Sequence, residues 1–134
     1  MIIAVVEDRT LSILAGTFAA TIAAKDIEHS FHALTHFPER RSLSELEGLA
    51  ERLSRFAAYM VELWEQAKLP LPEAELGAFA RRHVEITRKY WAAEGRCMNW
   101  FITGPARFPV ARNEKRMRVS DARRADISAH IATA

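Results

Sequence analysis

The chain has 134 residues, of which 49% are hydrophobic and 27% are charged, close to the average of folded globular domains, so collagen-like, low-complexity and wholly disordered classes are excluded. Its single cysteine excludes an internal disulfide and a multi-thiolate metal site. Five glycines and five prolines are too few for a glycine-rich phosphate loop or a turn-rich β-sandwich. Composition therefore predicts an all-α protein, and one cysteine is typical of a reducing compartment.

The amino-terminal apolar residues are the first candidate elements. Residues 2–6 could form a β-strand, but no second strand-forming run is evident to pair with it, so we interpret it as an apolar extension packed on a helical bundle. Leu11, Leu14, Phe18 and Ile22 follow at steps of three and four, which predicts a helix. This helix is expected to continue, with a break near residue 25, as far as residue 37.

The apolar stretch within this segment bears on localisation. Residues 11–24 are only 14 in number, whereas a membrane-spanning helix needs about 20. Glu7 and Asp8 precede the stretch, where a signal peptide would carry basic residues. We therefore expect no membrane span and no secretion, and a cytoplasmic protein.

Three histidines are the candidate metal ligands. His29, His32 and His36 are spaced i, i+3 and i+7, on one face of the predicted helix, and imidazole is the commonest metal-binding side chain. Three ligands that are spread over two turns of one helix cannot all reach one ion without distortion. We therefore interpret the histidines as a half-exposed polar stripe and predict no metal and no cofactor. The alternative is a metal-assisted hydrolase that uses this face.

Two long helices are the clearest pattern in the sequence. Apolar residues recur at alternating steps of three and four over residues 46–67 and again over residues 76–93, the spacing of helices that pack along a partner. A first helix is expected to start near Leu43, and the prolines within residues 69–72 end it. The short connection predicts an antiparallel hairpin. Each series of apolar residues forms a stripe along its helix, called here a seam. His83 interrupts the seam of the second helix, and a hydrogen-bonded core histidine is the ordinary explanation.

Charge divides the chain into an acidic and a basic part. Residues 1–77 carry seven Lys/Arg and twelve Asp/Glu, a net charge of −5, and residues 78–124 carry twelve and four, a net charge of +8. We interpret residues 1–134 as one helical domain with an acidic part, 1–77, and a basic part, 78–134. An anionic partner would be attracted to the basic part.

The basic part is predicted to end in a helix from Val110 to about Ile131, which follows an aromatic loop punctuated by Gly104-Pro105. This helix has few apolar residues to bury, namely Val110, Met117, Ile127 and Ile131. Its polar face must therefore contact water or an anion.

The candidate binding residues are four cations at the start of this helix and, in the loop before it, one further cation and one aromatic residue. Spacings of three and four place Arg112, Lys115 and Arg116 on one helical face, which suits phosphate oxygens. Aromatic residues interleaved with cations, such as Tyr90 and Trp91, could stack on bases. The other explanation is that Arg112 and Lys115 pair with acids of the first 77 residues. The full candidate set is Trp100, Arg107, Arg112, Lys115, Arg116 and Arg118, and the candidate acids are Glu45, Glu51, Glu62 and Glu65.

The run from Asn99 to Lys115, which contains Thr103-Gly104-Pro105-Ala106-Arg107-Phe108-Pro109-Val110, resembles a module of phage and plasmid proteins of the large polyvalent-protein class. The resemblance covers about residues 78–127. It implies a mobile-element protein that meets nucleic acid or the host machinery that guards it. It implies no particular activity.

These observations predict a non-enzymatic binding protein. We expect the basic carboxy-terminal half to act on nucleic acid or on a nucleic-acid-handling host defence complex, as an anti-CRISPR or antirestriction inhibitor does. Two alternatives remain at this point: a structural helical subunit that forms a homodimer through its heptad seams, and the metal-assisted hydrolase of the histidine face.

Overall fold

The structure is a computed structural model that describes residues 1–97 and 110–133. It contains a three-stranded antiparallel sheet and four α-helices in these residues, so the expectation of an all-α fold is wrong and the fold is α+β. In chain order the elements are β1 (Ile2–Glu7), β2 (Thr10–Ala15), β3 (Phe18–Ala23), α1 (Ala24–Ile27), a 3₁₀-helix (Glu28–Phe31), α2 (Pro38–Gln66), α3 (Glu73–Glu94) and α4 (Val110–Thr133).

The sheet consists of two tight hairpins in the order β1-β2-β3. Glu7 pairs with Thr10 across a two-residue turn whose members, Asp8 and Arg9, both have positive φ, the backbone of a type I′ turn. Ala15 pairs with Phe18 across the second turn. The predicted helix over residues 11–22 is therefore wrong, and residues 2–6 are a paired strand.

Strand alternation explains how this segment is buried. On β2, Leu11, Ile13 and Ala15 are buried, whereas Ser12 and Leu14 face outward. This period of two is the mark of a sheet with one covered face. Leu14 is 53% exposed, so the three-and-four spacing that suggested a helix combined residues from both faces.

The two long helices confirm the predicted hairpin. Side chains of α2 and α3 meet in antiparallel order, because Arg41 reaches Glu94, Arg52 reaches His83, and Phe56 stacks on Phe79 with ring centroids 3.6 Å apart. The predicted seam of α3 is buried throughout. On α2 the helix begins at Pro38 rather than near Leu43, and the last buried residue of its predicted apolar series is Leu53.

One hydrophobic core joins the sheet, α1, α2, α3 and α4. It contains Leu11 and Ile22 of the sheet, Leu49 and Leu53 of α2, Leu76 of α3 and Ile127 of α4. The turn between β2 and β3 lies directly on α3: a Cβ added at Gly77 would lie 2.8 Å from the carbonyl oxygen of Ala15. No helix in the described residues is long and apolar enough to cross a membrane.

The histidines of the predicted metal face do not share a helix. His29 lies in the 3₁₀-helix, and His32 and His36 lie in the turns between it and α2, with all three side chains exposed. The predicted single face is therefore wrong. Within residues 1–97 and 110–133, no group of three His, Cys, Asp or Glu side chains could hold a metal ion.

Candidate anion-binding surface on helices α3 and α4

Helix α4 packs along α3 through a face that is mostly polar. Among the described side chains of this helix, Asn113, Ser120 and Ile127 are buried, spaced by seven, and of the three only Ile127 is apolar. Two of the residues expected to be buried, Met117 and Ile131, are 50% and 39% exposed. Hydrogen bonds therefore contribute more to the α3–α4 contact than apolar burial does.

The carboxylate of Glu94 is the centre of one hydrogen-bonded group. It is buried at the end of α3 and accepts a hydrogen bond from the hydroxyl of Ser120 on α4. Arg41 of α2 lies 3.4 Å from its other oxygen, and Arg124 of α4 lies 3.7 Å away. Arg41 and Arg124 also donate to the hydroxyl of Tyr90, at 3.4 and 3.1 Å. Glu94 thus holds α2, α3 and α4 together through charge-assisted hydrogen bonds.

A second polar group surrounds His83, which is fully buried. The Nε–H of Arg52 donates to Nε2 of His83 at 3.0 Å, and Nδ1 of His83 lies 3.0 Å from Nδ1 of His130 on α4. The ring of His130 stacks on Phe79 with centroids 4.5 Å apart. The expectation of a hydrogen-bonded core histidine at position 83 is confirmed.

The donor from Arg52 fixes where the protons of the two imidazoles lie. Because Nε2 of His83 accepts a hydrogen bond, the proton of a neutral His83 is on Nδ1, which then donates to Nδ1 of His130. A neutral His130 therefore carries its proton on Nε2. Burial first, and then the charge of Arg52 and the neighbouring His130, lower the pKa of His83 to about 3. Burial and the charge of Arg82 also lower the pKa of His130.

Three of the predicted binding cations lie together at the start of α4. Arg112 and Lys115 are exposed, and neither forms an ion pair with another described residue. Arg116 is half-buried and donates to the carbonyl oxygen of Arg96 at 3.1 Å. Arg118 is exposed but lies about 120° round the helix from Arg112, on the side of Glu114 and Asp121.

The candidate acids of the first 77 residues do not neutralise these cations. Glu45 pairs with Arg41 and accepts from the indole of Trp91, and Glu51 pairs with Arg55. Glu62 and Glu65 are exposed on α2 with no ion pair to a described residue. Within the described part of the chain, internal pairing therefore does not account for Arg112 and Lys115.

The predicted aromatic contacts divide into two groups. Tyr90 and Trp91 are buried, with 5% and 2% of their surface exposed, so neither presents a ring face to a nucleotide base. Trp100 and Arg107 lie outside the described residues.

A groove further along the helix pair was not predicted from the sequence. It has a volume of about 300 Å³ and is lined by Arg82, Ile86 and Lys89 of α3 and by Arg123, Asp126, Ala129 and His130 of α4. The signal that could have indicated it is the repeat of seven from Asn113 to Ile127, because it places Arg123 and His130 beside the buried face.

No protein-family model matches this chain, and neither a curated protein nor a solved structure shows significant similarity to it.

Proposed function

We propose that this protein binds nucleic acid through the basic surface at the amino-terminal end of α4, formed by Arg112, Lys115 and Arg116 and called here the α4 basic surface. The observation that carries the proposal is that Arg112 and Lys115 are exposed and form no ion pair with another described residue. Phosphate oxygens are the ligands that such a set of cations binds, and guanidinium groups hold them bidentately.

The position of these cations on their helix adds to the argument. The backbone dipole makes the first turn of a helix positive, so a cation there, here Arg112 at the third position of α4, costs about 0.3 to 1 kcal/mol. The first turn of α4 contains no acidic residue to offset this. An anion bound at this end would interact favourably with both the side chains and the dipole. The arrangement is therefore unfavourable in the free protein and favourable in a complex.

The rest of the chain favours an oriented complex. Residues 1–77 have a net charge of −5 and would be repelled by a polyanion, whereas residues 78–124 have a net charge of +8. Arg116 is held by the carbonyl oxygen of Arg96, so one of the three cations is already positioned before a partner arrives.

The test is fluorescence anisotropy with labelled single-stranded and double-stranded oligonucleotides at several salt concentrations. We expect the double variant Arg112→Gln/Lys115→Gln to weaken binding by about tenfold or more at low salt. The negative slope of log affinity against log salt concentration should become shallower by about 2, one unit for each lost phosphate contact. The variant should fold normally, because both side chains are exposed.

Arg40→Gln/Arg55→Gln is the matched control, since it removes the same charge from exposed positions on α2. It should keep the wild-type salt slope. An equal effect of the two double variants would show that only net charge matters and would overturn the proposal. Absence of oligonucleotide binding by the wild-type chain would also overturn it and would favour an acidic protein surface as the partner.

The sequence resemblance to mobile-element proteins supplies a context for this proposal. A small nucleic-acid-binding protein of a phage or plasmid would act in the cytoplasm, where host defence complexes handle nucleic acid. Inhibition of such a complex, of the anti-CRISPR or antirestriction kind, is then one use of the α4 basic surface. Binding alone, without catalysis, is what we propose.

A further inference from the structure

We propose that the groove between α3 and α4 is a separate binding site for a tetrahedral oxyanion, specifically a phosphate group. Its cations are Arg82, Lys89 and Arg123, and the imidazole of His130 forms part of its wall. The site lies roughly 15 Å along α4 from the α4 basic surface, since ten residues at 1.5 Å each separate Arg116 from Asp126. It does not depend on the proposed binding of nucleic acid.

The charges of the groove suit an anion. Lys89 forms no ion pair with another described residue. Arg82 and Arg123 pair with Glu85 and Asp126 only through exposed contacts of 3.3 and 3.4 Å, which are worth little in water and can be exchanged for a bound anion. Among the described residues that line the groove, Asp126 is the one carboxylate.

The buried imidazole of His83 orients the half-buried imidazole of His130 at the wall of the groove. Arg52 donates to His83, and His83 in turn is placed to donate to Nδ1 of His130, which leaves the proton of a neutral His130 on Nε2. Nε2 lies on the side of the ring away from His83. Stacking on Phe79 fixes the plane of this ring. His83 and Arg52 are therefore positioning residues, and His130 and Lys89 are the proposed contacts to the anion.

The test uses nuclear magnetic resonance on the full chain. Sodium sulfate and sodium phosphate are titrated against sodium chloride at matched ionic strength, so that binding is separated from screening. We expect both oxyanions, but not chloride, to shift the backbone amides of residues 82–89 and 123–130 and the Nε2–H signal of His130. The imidazole nitrogen shifts should also show the proton of His83 on Nδ1.

Two matched variants locate the site. Lys89→Gln should weaken sulfate binding by about tenfold, the loss of one charge-assisted hydrogen bond. Lys115→Gln removes the same charge from the α4 basic surface and should leave sulfate affinity unchanged. Equal effects of the two variants, or shifts no larger than those caused by chloride, would overturn the proposal.

The same variants keep this site distinct from the proposed function. If the α4 basic surface binds nucleic acid, Lys115→Gln weakens oligonucleotide binding whether or not the groove binds sulfate. Dimethyl phosphate, a model of the nucleic-acid backbone, separates the two sources of a phosphate group. Preference for inorganic phosphate would assign the groove to a free or terminal phosphate, and equal affinity would assign it to a phosphodiester. If neither inorganic phosphate nor dimethyl phosphate causes larger chemical-shift changes than chloride, the groove proposal is contradicted and the proposed function is not.

Discussion

The two sides of helix α3 are built from different chemistry. Toward the sheet and α2, α3 buries apolar side chains such as Leu76 and Val84 in the common core. Toward α4, the contacts include those of Glu94 with Ser120 and of His83 with His130, and Ile127 is the one buried apolar residue among the described side chains of α4. Within the described residues, the position of α4 therefore depends on hydrogen bonds and charge, whereas the remainder depends mainly on apolar burial.

Stability and specificity reside on different sides of α3. Apolar burial is non-directional and tolerates small shifts, but a buried carboxylate or imidazole is costly unless each of its partners is in place. No buried polar side-chain atom of the described residues lacks a hydrogen-bond partner. The polar contact consequently fixes the register of α4 on α3, and that register places Arg123 and His130 opposite Arg82 and Lys89.

The apolar side should show the largest loss of stability. Leu53 is fully buried in α2, and Leu53→Ala should lower the free energy of unfolding by about 3 kcal/mol through lost burial and a cavity. Leu63→Ala, at a 44% exposed position of the same helix, should cost less than about 1 kcal/mol. Urea denaturation measures both values. Equal losses would contradict the assignment of the apolar core.

The polar side should respond to the loss of one charge. Glu94→Gln removes the charge that Arg41 and Arg124 share, and should cost about 2 kcal/mol, because the partners are partly exposed and keep some hydration. Hydrogen exchange should speed up in α4 more than in α2. Glu85→Gln, which breaks an exposed pair on the same helix, should change stability by about 0.5 kcal/mol or less. Uniform exchange across both helices would show that α4 is not held separately.

A decrease in pH should also destabilise the polar contact between α3 and α4 before it affects the apolar core. With a pKa of about 3, His83 stays neutral in the folded state while an unfolded histidine gains a proton below about pH 6.5, so stability falls as the pH decreases through this window. Between pH 7 and pH 4.5 this contribution should be about 2 to 3 kcal/mol. His83→Gln should flatten the acid limb of a stability-against-pH curve.

The control for this titration is His32→Gln, because it removes an imidazole at an exposed position. It should keep the wild-type acid limb. If His83→Gln keeps it as well, protonation of His83 does not contribute to acid unfolding.

The two sides also differed in how far the sequence predicted them. The α2–α3 hairpin was predictable because apolar residues recur at a helical period along both helices, interrupted only at His83. The sheet was missed because Leu11, Leu14 and Phe18 also satisfy a helical spacing, and because the turn at Asp8-Arg9 has no glycine to mark it. The α4 basic surface was visible as a run of cations, and its exposure on α4 could not be known until the face toward α3 was defined.

The contacts of the polar side could not be predicted at all from local patterns. Glu94 meets Ser120 across 26 residues and Arg41 across 53, and neither pair has a recurring spacing. His83 could be identified as an exception in an apolar seam, but its partner His130 lies 47 residues away on another helix. Periodicity reports which face of a helix is buried, and it does not report which polar groups meet there.

The last comparison adds the same methyl group, by a glycine-to-alanine substitution, at two helical positions with different surroundings. In a helix, alanine is favoured over glycine by about 0.5 to 1 kcal/mol. At Gly48 of α2 the added Cβ would find its nearest neighbour, the guanidinium of Arg52, at 3.5 Å, an ordinary contact. Gly48→Ala should therefore stabilise the protein and raise its melting temperature by about 2 to 4 °C.

At Gly77 the same methyl group would lie 2.8 Å from the carbonyl oxygen of Ala15, a backbone atom of the β2–β3 turn that cannot rotate away. The clash should cost about 1 to 3 kcal/mol and outweigh the gain in helix propensity, so Gly77→Ala should lower the melting temperature. The opposite signs follow from the contact of the sheet with α3 and from nothing in the helix itself. If both variants melt higher than the wild-type chain, the turn does not lie against α3, and the apolar side of that helix is less closely packed than its polar side.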